Sequence, residues 1–91
     1  MADIVVTLRI MPTGPEVELE PVEEKAKHLI SEFGGEVGKS EFNPVAFGLK
    51  SIDLVFVMDE NLGSTEKLEE DIAALENVNS AEVTDVRRAV G

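Results

Sequence analysis

The chain has 91 residues, 43% of them hydrophobic and 30% charged, a balance typical of a globular protein rather than a disordered one. We expect residues 1–91 to form a single domain. The formal net charge of −11 argues against direct binding to nucleic acid or to an anionic membrane, because both are bound mainly through Lys and Arg. The excess carboxylates suit either solubility or a basic partner surface, and the composition does not separate these two explanations.

The chain contains no cysteine, which excludes a disulfide framework and a thiolate metal site. Its first residues, MADIVVTLRIMP, alternate apolar and polar side chains and lack a basic region, unlike a signal peptide or a membrane span. We therefore expect a cytoplasmic protein that does not associate with membranes.

Hydrophobic periodicity predicts the elements of the first half of the chain. Apolar residues at every second position from 4 to 10 predict a strand, which the proline-rich residues 11–15 should stop. Apolar residues at helical spacing then predict a helix over residues 19–33, with Pro21 in its first turn and two glycines, Gly34 and Gly35, at its end.

The second half of the chain predicts two further strands, a helix and a last strand. Residues 36–45 are typical of an edge or bulged strand, because they include Gly38 and Pro44. Alternation returns over residues 52–58, and after a turn at 59–63 either Ser64 or Thr65 can cap a helix with an apolar stripe. Residues 78–90 should form the last strand, with either a bulge or an early end where the alternation slips. The apolar stripe of the second helix consists of Leu68, Ile72 and Leu75. The alternation of the last strand slips between Val83 and Val86.

The order strand, helix, strand, strand, helix, strand predicts an α+β, ferredoxin-like βαββαβ sandwich. We expect a four-stranded antiparallel sheet with both helices on one face.

Side chains able to carry out catalysis are sparse. His28 lacks a nucleophile to activate and companion ligands for a metal, so we expect it on the surface of the first helix. The oxygen-rich turn of Asp59, Glu60 and Asn61 lacks the spacing of a calcium loop and is interpreted as a solvated turn. We expect no catalytic residue, no metal site and no cofactor.

Two functions that occur on this architecture are disfavoured by the residues at the relevant positions. An RNA-recognition domain places aromatic rings on the open face of its first and third strands, where this chain has aliphatic and polar residues such as Val5 and Asp53. A phosphate-binding hydrolase of the acylphosphatase type needs a cradle of backbone N–H groups after the first strand. Residues 11–16 offer two prolines and a carboxylate instead.

Two other features invite explanation. Phe47 precedes Gly48 in the loop between the second and third strands, where its ring is either displayed to a partner or folded back onto the sheet edge. Arg87 and Arg88 are adjacent basic residues in an acidic chain, and they form either an ordinary polar terminus or a functional cationic site.

The segment PVAFGLKSIDLVFVMDENLGSTEKLEEDIAAL, residues 44–75, resembles the exchange domain of the elongation factor 1-beta family, in its compact archaeal form. The family pattern is proline, an apolar residue, a small residue, an aromatic, glycine, an aliphatic and lysine, followed by a strand, an acidic turn and a Leu-Glu-Glu helix. The matching loop residues are Pro44, Val45, Ala46, Phe47, Gly48, Leu49 and Lys50, and the helix matches at Leu68, Glu69 and Glu70.

This resemblance implies a guanine-nucleotide exchange factor for elongation factor 1-alpha, the GTPase that delivers aminoacyl-tRNA. In the family, the loop aromatic docks against the GTPase, and a lysine near the C-terminus enters the region that holds magnesium and phosphates. Phe47 falls on the first position and Arg88 on the second, with Arg87 as a rival. The implied partner-binding residues are Phe47, Gly48, Leu49, Lys50, Val86, Arg87 and Arg88.

The chain departs from the family in two places. Arginine replaces the family's lysine near the C-terminus, and Ser51 stands where many eukaryotic members have a second lysine after Lys50. An alternative from another class is a ferredoxin-like regulatory module that binds a small ligand or metal and dimerises through its sheet. For the exchange factor we expect a monomer when free.

Overall fold

The computed structural model describes residues 3–88 and follows the predicted order of elements. The strands and α-helices are β1 (Asp3–Pro12), α1 (Leu19–Phe33), β2 (Glu36–Pro44), β3 (Lys50–Asp59), α2 (Glu66–Ala73) and β4 (Val78–Arg88). A short 3-10 helix, Glu60–Leu62, joins β3 to α2. Ala89 and Val90, which were predicted to end the last strand, lie outside the described residues.

The four strands form one antiparallel sheet in the order β2-β3-β1-β4. Alternate residues of β1 and β3 point to the same side and pack with both helices into one buried core. This core includes Val6, Leu8, Ile10, Ile52, Leu54 and Phe56 from the sheet, with Val22, Ala26, Ile30, Leu68 and Ile72 from the helices. The predicted ferredoxin-like α+β fold is therefore confirmed.

Helix α1 has the bounds that the apolar stripe predicted. It ends at Gly34, whose φ of 109° is left-handed, and the Gly34 N–H donates to the carbonyls of Ile30 and Ser31. Gly35 follows where the chain passes close to the core: a Cβ at this position would lie 2.9 Å from Phe56 Cδ2. The glycine pair thus both ends the helix and allows β2 to start against the core.

Both edge strands carry the irregularities that the sequence predicted. The register of β2 against β3 shifts between Val37 and Lys39, around Gly38. The register of β4 against β1 shifts where Thr7 and Leu8 pair with Asp85 and Val83, leaving Thr84 as the extra residue. The first strand runs further than predicted. Pro12 still pairs with Val78 of β4, after a second register shift, beyond the Ile10–Ile52 pair that ends the pairing of β1 with β3.

The capping residue of α2 is Ser64, whose Oγ accepts a hydrogen bond of 3.1 Å from the Glu66 N–H. Thr65 makes no side-chain cap hydrogen bond. Leu75 lies past the end of the helix but still packs against the core, as the stripe predicted. Within residues 3–88, no helix is long and apolar enough to cross a membrane.

A charged pair lies on the open face of the sheet. Arg9 and Asp53 lie directly opposite each other on β1 and β3, and Arg9 Nε donates to Asp53 Oδ1 at 3.0 Å. Asn43 Nδ2 donates to the same carboxylate. Burial alone raises the pKa of Asp53, but the hydrogen bonds from Arg9 and Asn43, with the charge of Arg9, outweigh it and hold that pKa below its ordinary value.

Candidate partner-binding site

Phe47 occupies the first central position of the tight turn between β2 and β3. The Leu49 N–H donates to the Ala46 carbonyl at 2.9 Å, which closes a four-residue turn around Phe47 and Gly48. Both central residues have positive φ, 53° for Phe47 and 79° for Gly48. This pair of angles is the mark of a type I′ turn, which favours Asn-Gly because most side chains are strained in the left-handed region.

The ring of Phe47 is 96% exposed. The alternative in which it folds back onto the sheet edge is therefore wrong. Val45 and Phe42, on the same hairpin, are also partly exposed large apolar residues. A bulky aromatic that is both strained at its backbone and almost wholly in water contributes nothing visible to the fold of the free chain, and such outliers are a reason to look for function.

The remaining predicted residues of this loop lead directly into β3. Leu49 is half-buried and forms the second rung of the turn, its carbonyl accepting from the Val45 N–H at 2.9 Å. Lys50 is exposed and pairs with Pro44 at the first rung of the β2–β3 ladder. Beside them runs a groove of about 270 Å³ between the hairpin and the loop before α1, with Pro15, Phe42 and Lys50 among its lining residues. Of the four loop residues, Gly48 and Lys50 line this groove.

Arg87 and Arg88 point to opposite faces of the sheet. Directly opposed residues in an antiparallel pair share a face, and Arg88 lies opposite Ile4 while Arg87 lies opposite Val5. Ile4 packs against the core, so Arg88 is on the helix-bearing face and Arg87 on the open one. Val86, opposite the buried Val6, shares the face of Arg88 and is 55% exposed.

Each arginine has its own carboxylate partner. Arg87 Nε donates to Asp85 Oδ2 at 2.9 Å, within the same strand. Arg88 Nη2 donates to Glu60 Oε2 at 3.0 Å, joining the end of β4 to the turn that follows β3. The second pair was not predicted, because residues 28 positions apart carry no mutual signal in a single sequence.

The loop of Phe47 and the two arginines lie at opposite ends of the sheet. Arg88 is level with Ile4, which pairs with Met58 near the end of β3, whereas Phe47 precedes the start of β3. At about 3.3 Å per residue, the eight steps from Lys50 to Met58 alone span about 26 Å. The described part of the chain is elongated, 42 Å along its longest axis. The predicted residues therefore form two separate contact regions, not one cluster.

The described residues offer no arrangement typical of covalent catalysis. His28 is exposed on α1 and its Nε2 lies 2.7 Å from Glu32 Oε1, one helical turn away. Within residues 3–88, no group of three His, Cys, Asp or Glu side chains is placed to hold a metal ion. One of the two regions presents an exposed aromatic ring, and the other presents two arginines on opposite faces of the sheet.

Comparison with known proteins identifies the family. Residues 5–89 match the family model of the EF-1 guanine nucleotide exchange domain. The chain belongs to the elongation factor 1-beta family. It is 40% identical over 88 residues to elongation factor 1-beta of Methanothermobacter thermautotrophicus, an alignment that covers 97% of this chain and 98% of that protein. The corresponding protein of Methanosphaera stadtmanae is 41% identical over 88 residues, with the same coverage.

Elongation factor 1-beta of Methanococcoides burtonii is 37% identical over 90 residues, which span 99% of this chain and 100% of that protein. The resemblance drawn from residues 44–75 is thus confirmed at the level of the family, and its archaeal character with it. Membership supports a role in nucleotide exchange on EF-1.

Proposed function

We propose that residues 1–91 act as one exchange domain that promotes release of GDP from elongation factor 1-alpha during translation. Membership of the elongation factor 1-beta family supports the class of function. The observation that carries the proposal to particular residues is the Phe47 turn: a ring 96% exposed on a strained backbone, at the position where the family pattern has its aromatic. Lys50 and the groove beside it extend the same surface.

Phe47 is the anchor in this proposal. An aromatic ring that enters a recess at the centre of an interface contributes up to a few kcal/mol of binding free energy. The type I′ turn fixes the backbone, so little conformational entropy remains to be lost when the ring is buried. Gly48 and Leu49 complete this contact by holding the turn closed, and Lys50 adds a cation at its edge.

Arg88 is the cation that weakens nucleotide binding. GDP and its magnesium ion are retained by charge, and a singly charged cation brought within about 4 Å of the divalent metal is repelled by about 8 kcal/mol at an effective dielectric constant of 20. Each 1.4 kcal/mol lost lowers nucleotide affinity about tenfold. Both arginines pair with a carboxylate, and Arg88 is preferred to Arg87 because it falls on the position of the family's lysine and shares the helix face with the exposed Val86.

Linkage makes the factor reusable. If the factor lowers nucleotide affinity by a given ratio, nucleotide lowers the affinity of the factor by the same ratio. Returning nucleotide therefore ejects the factor, and no covalent step is required. The factor itself is proposed to be a monomer when free, which light scattering after gel filtration measures directly.

The test is release of fluorescent GDP from elongation factor 1-alpha with excess unlabelled GDP, as a function of added factor. We expect the wild-type chain to accelerate release. Phe47→Ala should raise the half-saturating concentration on the order of tenfold or more, while Arg88→Ala should lower the maximal rate more than it changes that concentration.

Arg87→Ala is the matched control for Arg88→Ala, because it removes the same charge one residue away on the other face. If Arg87→Ala abolished stimulation and Arg88→Ala retained it, the assignment of the cation would be reversed while the function stood. If the wild-type chain left GDP dissociating at its spontaneous rate, the proposed function would be wrong.

A further inference from the structure

The end of β4 is tied to the turn after β3 by the pair between Arg88 and Glu60. The two side chains are 74% and 36% exposed, so the pair sits at the surface with the carboxylate as its more sheltered member. The pair bridges the sheet: Arg88 on β4 lies opposite Ile4 on β1, which lies opposite Met58 on β3, two residues before Glu60.

The backbone of Glu60 is itself held in place. Asp59 Oδ1 accepts a hydrogen bond of 2.8 Å from the Asn61 N–H, which caps the 3-10 helix, and the Gly63 N–H lies 3.4 Å from the Glu60 carbonyl. Glu60 therefore projects from an ordered turn rather than from a loose loop. Its carboxylate is the group that the guanidinium of Arg88 contacts.

The bond uses only part of the guanidinium. Arginine has five N–H donors in a planar fork, and the contact with Glu60 engages the Nη2 nitrogen. The other nitrogens can face a partner while this contact is kept. A lysine ammonium, by contrast, is a single compact nitrogen on a flexible stem, so binding a carboxylate and a second group must occur at one atom.

We propose that Glu60 is a positioning residue for Arg88: it holds the guanidinium in the orientation in which the factor presents it to the nucleotide site of the partner. This inference rests on the proposed function and assigns a role to a residue outside the predicted set. Immobilising a side chain rich in rotamers before binding removes an entropic cost that corresponds to about two- to tenfold in rate or affinity.

The Asp85–Arg87 pair supplies a matched control. It has nearly the same length, 2.9 Å, and similar exposure, 47% and 79%, but it lies on the open face. Glu60→Gln and Asp85→Asn remove the same charge from comparable pairs. A general effect of net charge, or of a weakened end of β4, would affect both variants alike, whereas positioning of Arg88 affects only Glu60→Gln.

The experiment measures release of fluorescent GDP from elongation factor 1-alpha with wild-type factor, Glu60→Gln, Asp85→Asn, Arg88→Ala and the double variant Glu60→Gln/Arg88→Ala. We expect Glu60→Gln to lower the maximal rate about two- to tenfold with little change in half-saturating concentration. Asp85→Asn should behave as wild type. In the Arg88→Ala background, Glu60→Gln should have no further effect, because the two residues act as one unit.

A second measurement does not depend on exchange. In the free factor, the side-chain order parameter of Arg88 Nε from ¹⁵N relaxation should fall in Glu60→Gln and stay unchanged in Asp85→Asn. Unchanged order in Glu60→Gln would overturn the inference, whatever the exchange assay gave. A maximal exchange rate for Glu60→Gln that was equal to or higher than that of wild type would also overturn it. So would a decrease of the same size when Glu60→Gln is added to Arg88→Ala. An inactive wild-type factor would instead refute the proposed function, and with it the role of Arg88 that this inference serves.

Discussion

Replacing Phe47 by asparagine tests whether the turn holds its aromatic ring at the expense of the free protein's own stability. The backbone of Phe47 has φ 53°, in the left-handed region, where an ordinary side chain is disfavoured by about 1–2 kcal/mol. Asparagine is several-fold enriched there and is the preferred residue at this turn position. The ring is 96% exposed, so its removal sacrifices almost no buried apolar area.

The gain from relieving the backbone strain is therefore opposed by almost no loss of apolar burial. We expect Phe47→Asn to raise the free energy of unfolding by on the order of 1 kcal/mol, which for a domain of this size corresponds to a rise in Tm of about 4–8 °C. Phe47→Ala is the control: it removes the ring but keeps the Cβ and hence the backbone strain. Its stability should stay within about 0.5 kcal/mol of wild type.

Urea and thermal unfolding of the three proteins, followed by circular dichroism, give both quantities. A loss of stability in Phe47→Ala would mean that the ring packs onto the folded chain, and a Phe47→Asn variant no more stable than Phe47→Ala would mean that the backbone carries no strain. In the GDP release assay both variants should lose affinity for the partner. Stability and binding should thus change in opposite directions in Phe47→Asn.

Two further predictions concern the scaffold. The Asp53 carboxylate has a pKa below its ordinary value of 3.8, so the stability it contributes is present above that pH and is lost as the pH falls through the lower, folded-state pKa. Asp53→Asn should therefore reduce stability at neutral pH and flatten its decline below about pH 3.8, as urea unfolding across that range measures. Gly35→Ala should destabilise the fold by about 1–3 kcal/mol, because the added Cβ would lie 2.9 Å from Phe56 Cδ2. Gly38→Ala is its control, since the nearest atom there is 4.0 Å away, and equal losses in the two variants would contradict the steric explanation.

The fold could be predicted because each element has a period that the sequence displays directly. The three-four spacing of α1 and the two glycines after it fixed both ends of that helix. The slip of parity between Val83 and Val86 indicated a bulge or an early end of β4, and the structure has the bulge, because a strand that changes face must gain one residue. The extension of β1 to Pro12 was not predicted, because a proline indicates the end of a strand when its pairing partner is unknown.

The candidate site could be predicted only in part, because the orientation and the contacts of its side chains depend on residues that are far apart in the sequence. The motif around Phe47 marked the turn, but whether the ring pointed outward depended on backbone angles that the motif does not encode. Arg87 and Arg88 are adjacent in the sequence, yet the pleat sends them to opposite faces with different partners. Glu60 was interpreted as part of a solvated turn, because its contact with Arg88 exists only after β1, β3 and β4 have paired.

Under the proposed function, the separation of the two regions divides partner binding and nucleotide displacement between them. β1 lies between β3 and β4 and pairs with both along almost its entire length, so the sheet holds Phe47 and Arg88 at a fixed distance. Once the ring is seated in a partner, the position of Arg88 is determined by a rigid body rather than by a search, and its approach to the metal becomes effectively intramolecular. Repulsion at one end can then be opposed by apolar burial at the other, which keeps the factor bound while the nucleotide leaves.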